Sequence, residues 1–173
     1  EVFRLEQGQE IGRLARLLYP GGILVDERRP SEAAKQTAAL LADSNVNAIF
    51  EATFLANGCT AKADVLARAR GCWIVKEVKS AVKGTQQISD LVDDVAYTTM
   101  VAQAAGLKVE RSWLLLVSRG YRKGMSPQNL FAEEDVTGDV DARLAGFQVH
   151  LERLMTCLDI AQPPQARLTA PCR

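Results

Sequence analysis

Apolar positions near the start of the chain recur with the period of a helix. Ile11, Leu14, Ala15 and Leu18 fall at i, i+3, i+4 and i+7, which predicts an amphipathic helix over about 6–18, stopped by Pro20-Gly21-Gly22. A second helix is expected after Pro30-Ser31, with Ser31 as its N-cap and Ala34, Thr37, Leu40 and Leu41 turned inward. The period then changes. Residues 48–55, 60–67 and 73–80 are short apolar-rich runs separated by Asn57-Gly58 and Arg70-Gly71, dipeptides suited to tight turns, so three consecutive antiparallel strands are predicted. Leu91, Val92, Val95, Thr99 and Ala102 mark a helix over about 88–105 that Gly106 ends, and SWLLLVS, residues 112–118, reads as a buried strand. A basic loop over 120–127 follows. The last helix, about 139–158, aligns Val140, Leu144, Phe147, Leu151, Leu154 and Leu158 on one side.

The order α, α, β, β, β, α, β, α describes one α/β domain over residues 1–160, with a mixed central sheet flanked by helices. The tail, 161–173, holds three prolines and no periodicity and reads as a linker or extended arm. A chain of 173 residues, 47% hydrophobic, suits one core and is short for two ordinary domains. No apolar run approaches the roughly 18 residues that cross a bilayer, and EVFRLEQGQE lacks the layout of a secretory signal. A cytoplasmic protein with no membrane partner is therefore expected. Because the chain opens on Glu1, it is also expected to belong with further domains of a longer chain.

Cys59, Cys72, Cys157 and Cys172 form no CxxC pair, and His150 is the single histidine, so reduced structural thiols are expected, with Cys157 in the core. His150 reads as a surface residue of the last helix. Basic and acidic residues both total 21, which excludes a global positive field that would recruit nucleic acid. Such a partner would need a local patch. One lies between Lys62 and Lys83, where Lys62, Arg68, Arg70, Lys76, Lys79 and Lys83 face only Asp64 and Glu77. Lys62, Lys76 and Lys83 are its candidate nucleic-acid contacts, and Arg119 is a further one beyond the patch, with Arg122 and Lys123 near it.

The candidate chemistry sits in WIVKEVKS. Alternation along a strand sends Trp73, Val75, Glu77 and Lys79 to one face and Ile74, Val78 and Ser80 to the other. If the Arg70-Gly71 loop has an even number of residues, Asp64 shares the face of Glu77 and Lys79; an odd number puts it on the opposite face. Two neighbouring carboxylates repel unless a cation lies between them. Magnesium, or manganese in its place, suits oxygen donors such as Asp64, Glu77 and the Val78 carbonyl. A bound ion of this kind lowers the pKa of its water, and Lys79 is the residue to orient or help deprotonate that water. A Glu-x-Lys pair on a strand is also common as a surface salt bridge, so the surrounding pattern carries the distinction.

That pattern, IFEATFLANGCTAKADVLARARGCWIVKEVKS followed by DDVAYTTMVAQAAGL and SWLLLVS, resembles the RecB-like branch of the PD-(D/E)XK nuclease superfamily, in particular bacterial members with an EVKS signature. The resemblance runs from about Gln7 to Thr137. It implies the restriction-endonuclease-like αβββαβ core, Asp64 and Glu77 as metal ligands, and Lys79 as the catalytic lysine. Glu51 and Glu10 stand where relatives often add an acidic residue; Glu51 is either paired at the site or at the sheet margin, and Glu10 reads as a solvated helix residue. The implied activity is magnesium-dependent hydrolysis of DNA, with RNA not excluded, in repair, recombination or defence. Two departures stand out. The Gln-x-x-x-Tyr motif of RecB-like relatives falls on Thr98 and Ala102, with Tyr97 and Gln103 out of register, and Cys172 alone cannot hold the iron–sulfur cluster found in some relatives. The alternative is a weakly active or inactive nuclease-fold module that binds nucleic acid or a protein.

Overall fold

Two tight turns set the middle of the sheet. Asn57 and Gly58 have φ of 50° and 73°, and Arg70 and Gly71 have 47° and 81°, the left-handed pair that a two-residue hairpin loop demands. They join β2 (Ala48–Ala56), β3 (Cys59–Ala69) and β4 (Cys72–Val82) into an antiparallel meander. The computed structural model describes residues 2–85 and 87–158.

After the meander the chain crosses over through α3 (Val92–Ala104) and returns as β5 (Val109–Val117), parallel to β4. Gly106, at φ 91°, ends α3 as the sequence predicts. Its N–H and that of Leu107 reach back to the Gln103 and Ala102 carbonyls, closing the helix end. The remaining elements are α1 (Val2–Ala15), β1 (Ile23–Leu24), α2 (Pro30–Ala42), β6 (Phe131–Asp135) and α4 (Thr137–Leu158). The six strands lie in chain order, with β1 parallel to β2 and β6 antiparallel to β5.

The architecture is thus α/β, a mixed sheet with helices on both faces. The larger core packs Ile49, Leu66, Val75 and Leu114 against Ala33 of α2, Val95 and Val101 of α3 and Val140 of α4. The smaller core packs Phe50, Val65 and Leu115 beneath Ala15 at the end of α1 and Leu18 and Tyr19 just after it. Thr99 of α3 shares a buried 2.8 Å hydrogen bond with Ser112 of β5, tying the crossover helix to its strand.

Several expectations are corrected. The first helix ends at Ala15 and tightens into a 3-10 turn over Arg16–Leu18. Ser31 is not the N-cap of α2, because Pro30 already occupies the first turn and Arg29 precedes it. β1 and β6 are additional strands; two residues carry no period, and FAEED alternates too weakly to read as a strand. Leu154 is 64% exposed and Cys157 is exposed, because α4 runs past the edge of the core that its first half covers. Among the described residues, no helix is long and apolar enough to cross a membrane. The tail at 161–173, with Cys172, lies outside the described residues.

Arg70 pays a conformational penalty that asparagine or glycine would not at φ 47°. Arg70→Asn should raise unfolding stability by about 0.5–1 kcal/mol in urea titrations; a loss of stability would contradict the turn geometry.

Candidate active site

The site arises where strand alternation breaks. In β2, Ile49, Ala52 and Phe54 join the larger core, while Phe50 joins the smaller one. In β3, Ala61, Ala63 and Leu66 join the larger core, while Val65 joins the smaller one. A regular strand could not put Ile49 and Ala52, or Ala63 and Leu66, on the same side. The pleat therefore slips at Glu51 and at Asp64, the two residues between the Phe50↔Val65 and Ala52↔Ala63 pairs. Glu51 absorbs the slip with φ 56°, a conformation rare for a residue with a side chain.

β3 and β4 pair from Ala69↔Cys72 to Val65↔Lys76. The loop has two residues, which meets the even-number condition. Beyond that point the Asp64 carboxylate, rather than a backbone oxygen, accepts the Val78 N–H at 2.7 Å. Asp64, Glu77, Val78 and Glu51 then line one cavity of about 380 Å³, closed on its other side by Gly8, Gln9, Gly12 and Arg16.

Burial dominates the electrostatics. It raises the Asp64 carboxyl above its usual range; the Val78 N–H opposes the rise, Glu51 adds to it, and Lys79 and Arg16 subtract from it. Burial likewise lifts Glu77, with the Asp64 charge next and Lys79 opposing, to about 7. Lys79 Nζ lies 3.0 Å from Glu77 Oε1 and also contacts the Asp94 carboxylate on the first turn of α3. Burial alone would lower the proton affinity of Lys79, but the two carboxylates outweigh it and raise it.

Glu51 is paired at the site rather than at the sheet margin. Its carboxylate oxygens lie 3.4 Å from Arg16 and 3.9 Å from Lys62. Glu10 stays on the exposed side of α1, bonded to Arg13, and takes no part. Two partly buried carboxylates, with the Val78 backbone beside them, offer the kind of oxygen donors that magnesium takes alongside retained waters. Among the described residues, no three acidic, His or Cys side chains already form a closed ion cage.

The expected basic patch is largely spent on internal pairing. Lys76 is corrected outright: only 5% exposed, it is bonded to Glu133 at 2.6 Å and covered by the Tyr19 and Trp113 rings, so it cannot reach a phosphate. Arg68 stacks on Trp73 and bonds carbonyls at 41, 43 and 46. Lys83 pairs with Glu134, and Arg119 bonds the Lys83 and Gly84 carbonyls. Lys62 remains at the cavity rim beside Glu51. Thr98 and Ala102 are buried in the core. Arg16, Gly8, Gly12 and Asp94 were not anticipated. Glycines four residues apart inside a helix, in line with an arginine, were the available signal for α1.

A carboxyl whose folded pKa is raised contributes stability below its unfolded pKa and loses it as pH rises through the folded value. With divalent ions chelated, the protein should therefore lose roughly 1–3 kcal/mol between about pH 5 and about pH 8 relative to Glu77→Gln. Urea unfolding at both pH values measures this; parallel profiles for the two proteins would contradict the burial of Glu77 charge.

No family model and no curated protein matches the chain. Among solved structures, that of SSO0001 is similar over 86% of this chain and 70% of that chain, at 18% identity and a TM-score of 0.32. A likeness that loose carries no argument about function.

Proposed function

We propose that this chain is a PD-(D/E)XK-type nuclease domain of the RecB-like branch, hydrolysing phosphodiester bonds of DNA with magnesium or manganese, in the cytoplasm, in repair, recombination or defence. One observation carries the reading: Asp64 and Glu77, from adjacent strands, line one cavity in which burial, and then the Asp64 charge, raise the proton affinity of Glu77. The order α1, β2, β3, β4, α3, β5 supports the αβββαβ core.

Asp64, Glu77 and the Val78 carbonyl, with Glu51 beside them, would hold the cation, which when bound would lower the pKa of a coordinated water and offset charge on the phosphoryl oxygens. The Val78 N–H fixes the Asp64 carboxylate, so its orientation does not depend on solvent. Lys79 Nζ, held as an ammonium at Glu77 and Asp94, would orient the attacking water by donating a hydrogen bond to its oxygen. Burial strengthens each of these interactions.

A second reading, a catalytically silent module of the same fold that binds nucleic acid or a protein, is favoured by two observations. The Lys79 ammonium is engaged by two carboxylates, and Thr98 and Ala102 fill core positions where relatives carry their Gln and Tyr. RNA would use the same chemistry, and only contacts to a 2′-hydroxyl would separate the polymers.

Single- and double-stranded DNA incubated with magnesium or manganese should be cleaved by the native protein, and Asp64→Ala and Lys79→Ala should each lose about 100-fold or more. Equal rates in all three proteins would reject the site. Binding without cleavage, unchanged by chelator, would favour the silent module.

A further inference from the structure

We infer that Arg16 binds a backbone phosphate of the nucleic acid, and that the Gly8–Gly12 face of α1, leading to Arg16 in the 3-10 turn that follows, is the track along which the strand lies. This rests on the nuclease reading and adds a substrate subsite to it.

Arg16 belongs to the same cavity as Glu51, Asp64 and Glu77. A guanidinium stays charged and has no lone pair to give a cation, so in a metal site it is no ligand. Its counterpart there must be an anion. Among the described residues its one hydrogen-bonding partner is Glu51, through a single long contact of 3.4 Å. Most of its five donors are therefore without an acceptor among the described residues. The Phe50 ring lies 5.9 Å behind it, which backs the guanidinium on its apolar side. A planar donor fork at the edge of a carboxylate site matches the oxygens of a phosphodiester.

The glycines supply room. Gly8, Gly12 and Arg16 are spaced by four and share the cavity wall. Glycine is disfavoured in a helix interior, and close packing does not require it here, because a Cβ at Gly8 or Gly12 would meet nothing within 4 Å. The space above α1 is open along the line that leads to Arg16. Lys62, on the other side of Glu51, extends the positive rim. The arrangement puts cationic donors next to the carboxylates without filling the place where a strand would lie.

Binding of a fluorescein-labelled single-stranded DNA, with calcium in place of magnesium to suppress cleavage, tests the assignment by anisotropy over a range of salt. Arg16→Met should weaken binding about 10-fold and reduce the salt slope by about 0.7, the share of one phosphate contact. Arg16→Lys should keep the slope and recover part of the affinity. Gly12→Leu should raise the melting temperature, since leucine is the better helix former, yet weaken binding, so its effect cannot come from misfolding. Manganese affinity, measured by electron paramagnetic resonance, should be unchanged or tighter in Arg16→Met, because a neighbouring positive charge has been removed.

Native affinity and salt slope in Arg16→Met would overturn the subsite and reduce Arg16 to a counter-ion of Glu51. If the native protein cleaves DNA and Arg16→Met keeps its KM, the subsite falls while the nuclease reading stands. If the native protein binds the oligonucleotide but never cleaves it, and Arg16→Met loses that binding, the subsite stands and the hydrolytic reading falls. No oligonucleotide binding by the native protein would overturn both.

Discussion

Two partly buried carboxylates on neighbouring middle strands of a sheet are the constraint around which this structure is organised. Ionised side chains in such a place are costly unless hydrogen bonds or opposite charges answer them. Each neighbour answers in part. The Val78 N–H takes one oxygen of Asp64, and Lys79 takes one oxygen of Glu77. The compensation is incomplete, since Glu77 still holds its proton to about 7. An incompletely balanced acidic pair beside an open cavity is the physical basis for expecting a cation there.

The backbone serves that arrangement. Two-residue turns fix the register of β2, β3 and β4, leaving little freedom for a slip that would separate the acids. The pleat then breaks at Glu51 and Asp64 together, which keeps the register while turning both side chains toward α1. Glu51 bears the strain, with a left-handed φ in mid-strand. Local strain at a cluster of charged groups is a pattern associated with functional sites rather than with folding economy.

Much of the fold was legible because its signals are local. Asn57-Gly58, Arg70-Gly71 and Gly106 each mark a backbone conformation that few residues tolerate, and all three lie where the structure needs them. That Asp64 and Glu77 line one cavity was legible because the turn between their strands is short, whereas Lys79 pairs with Glu77 and Asp94 and is not among the residues lining that cavity. The rest depends on tertiary context. Alternation along AIFEATF puts Ile49, Glu51 and Thr53 on one face, and nothing in the sequence announces the slip that replaces this pattern. Lys76 looked like a surface cation because its burial depends on Tyr19, Trp113 and Glu133, all distant in the chain. The outer half of α4 has the apolar spacing of a buried helix, yet Leu154 and Met155 remain exposed.

Anomalous scattering from a crystal soaked in manganese tests the central claim most directly. The account predicts a peak bounded by Asp64 and Glu77, with the Val78 carbonyl and Glu51 on its near side. Full manganese occupancy elsewhere on the protein, with none between these two carboxylates, would contradict it.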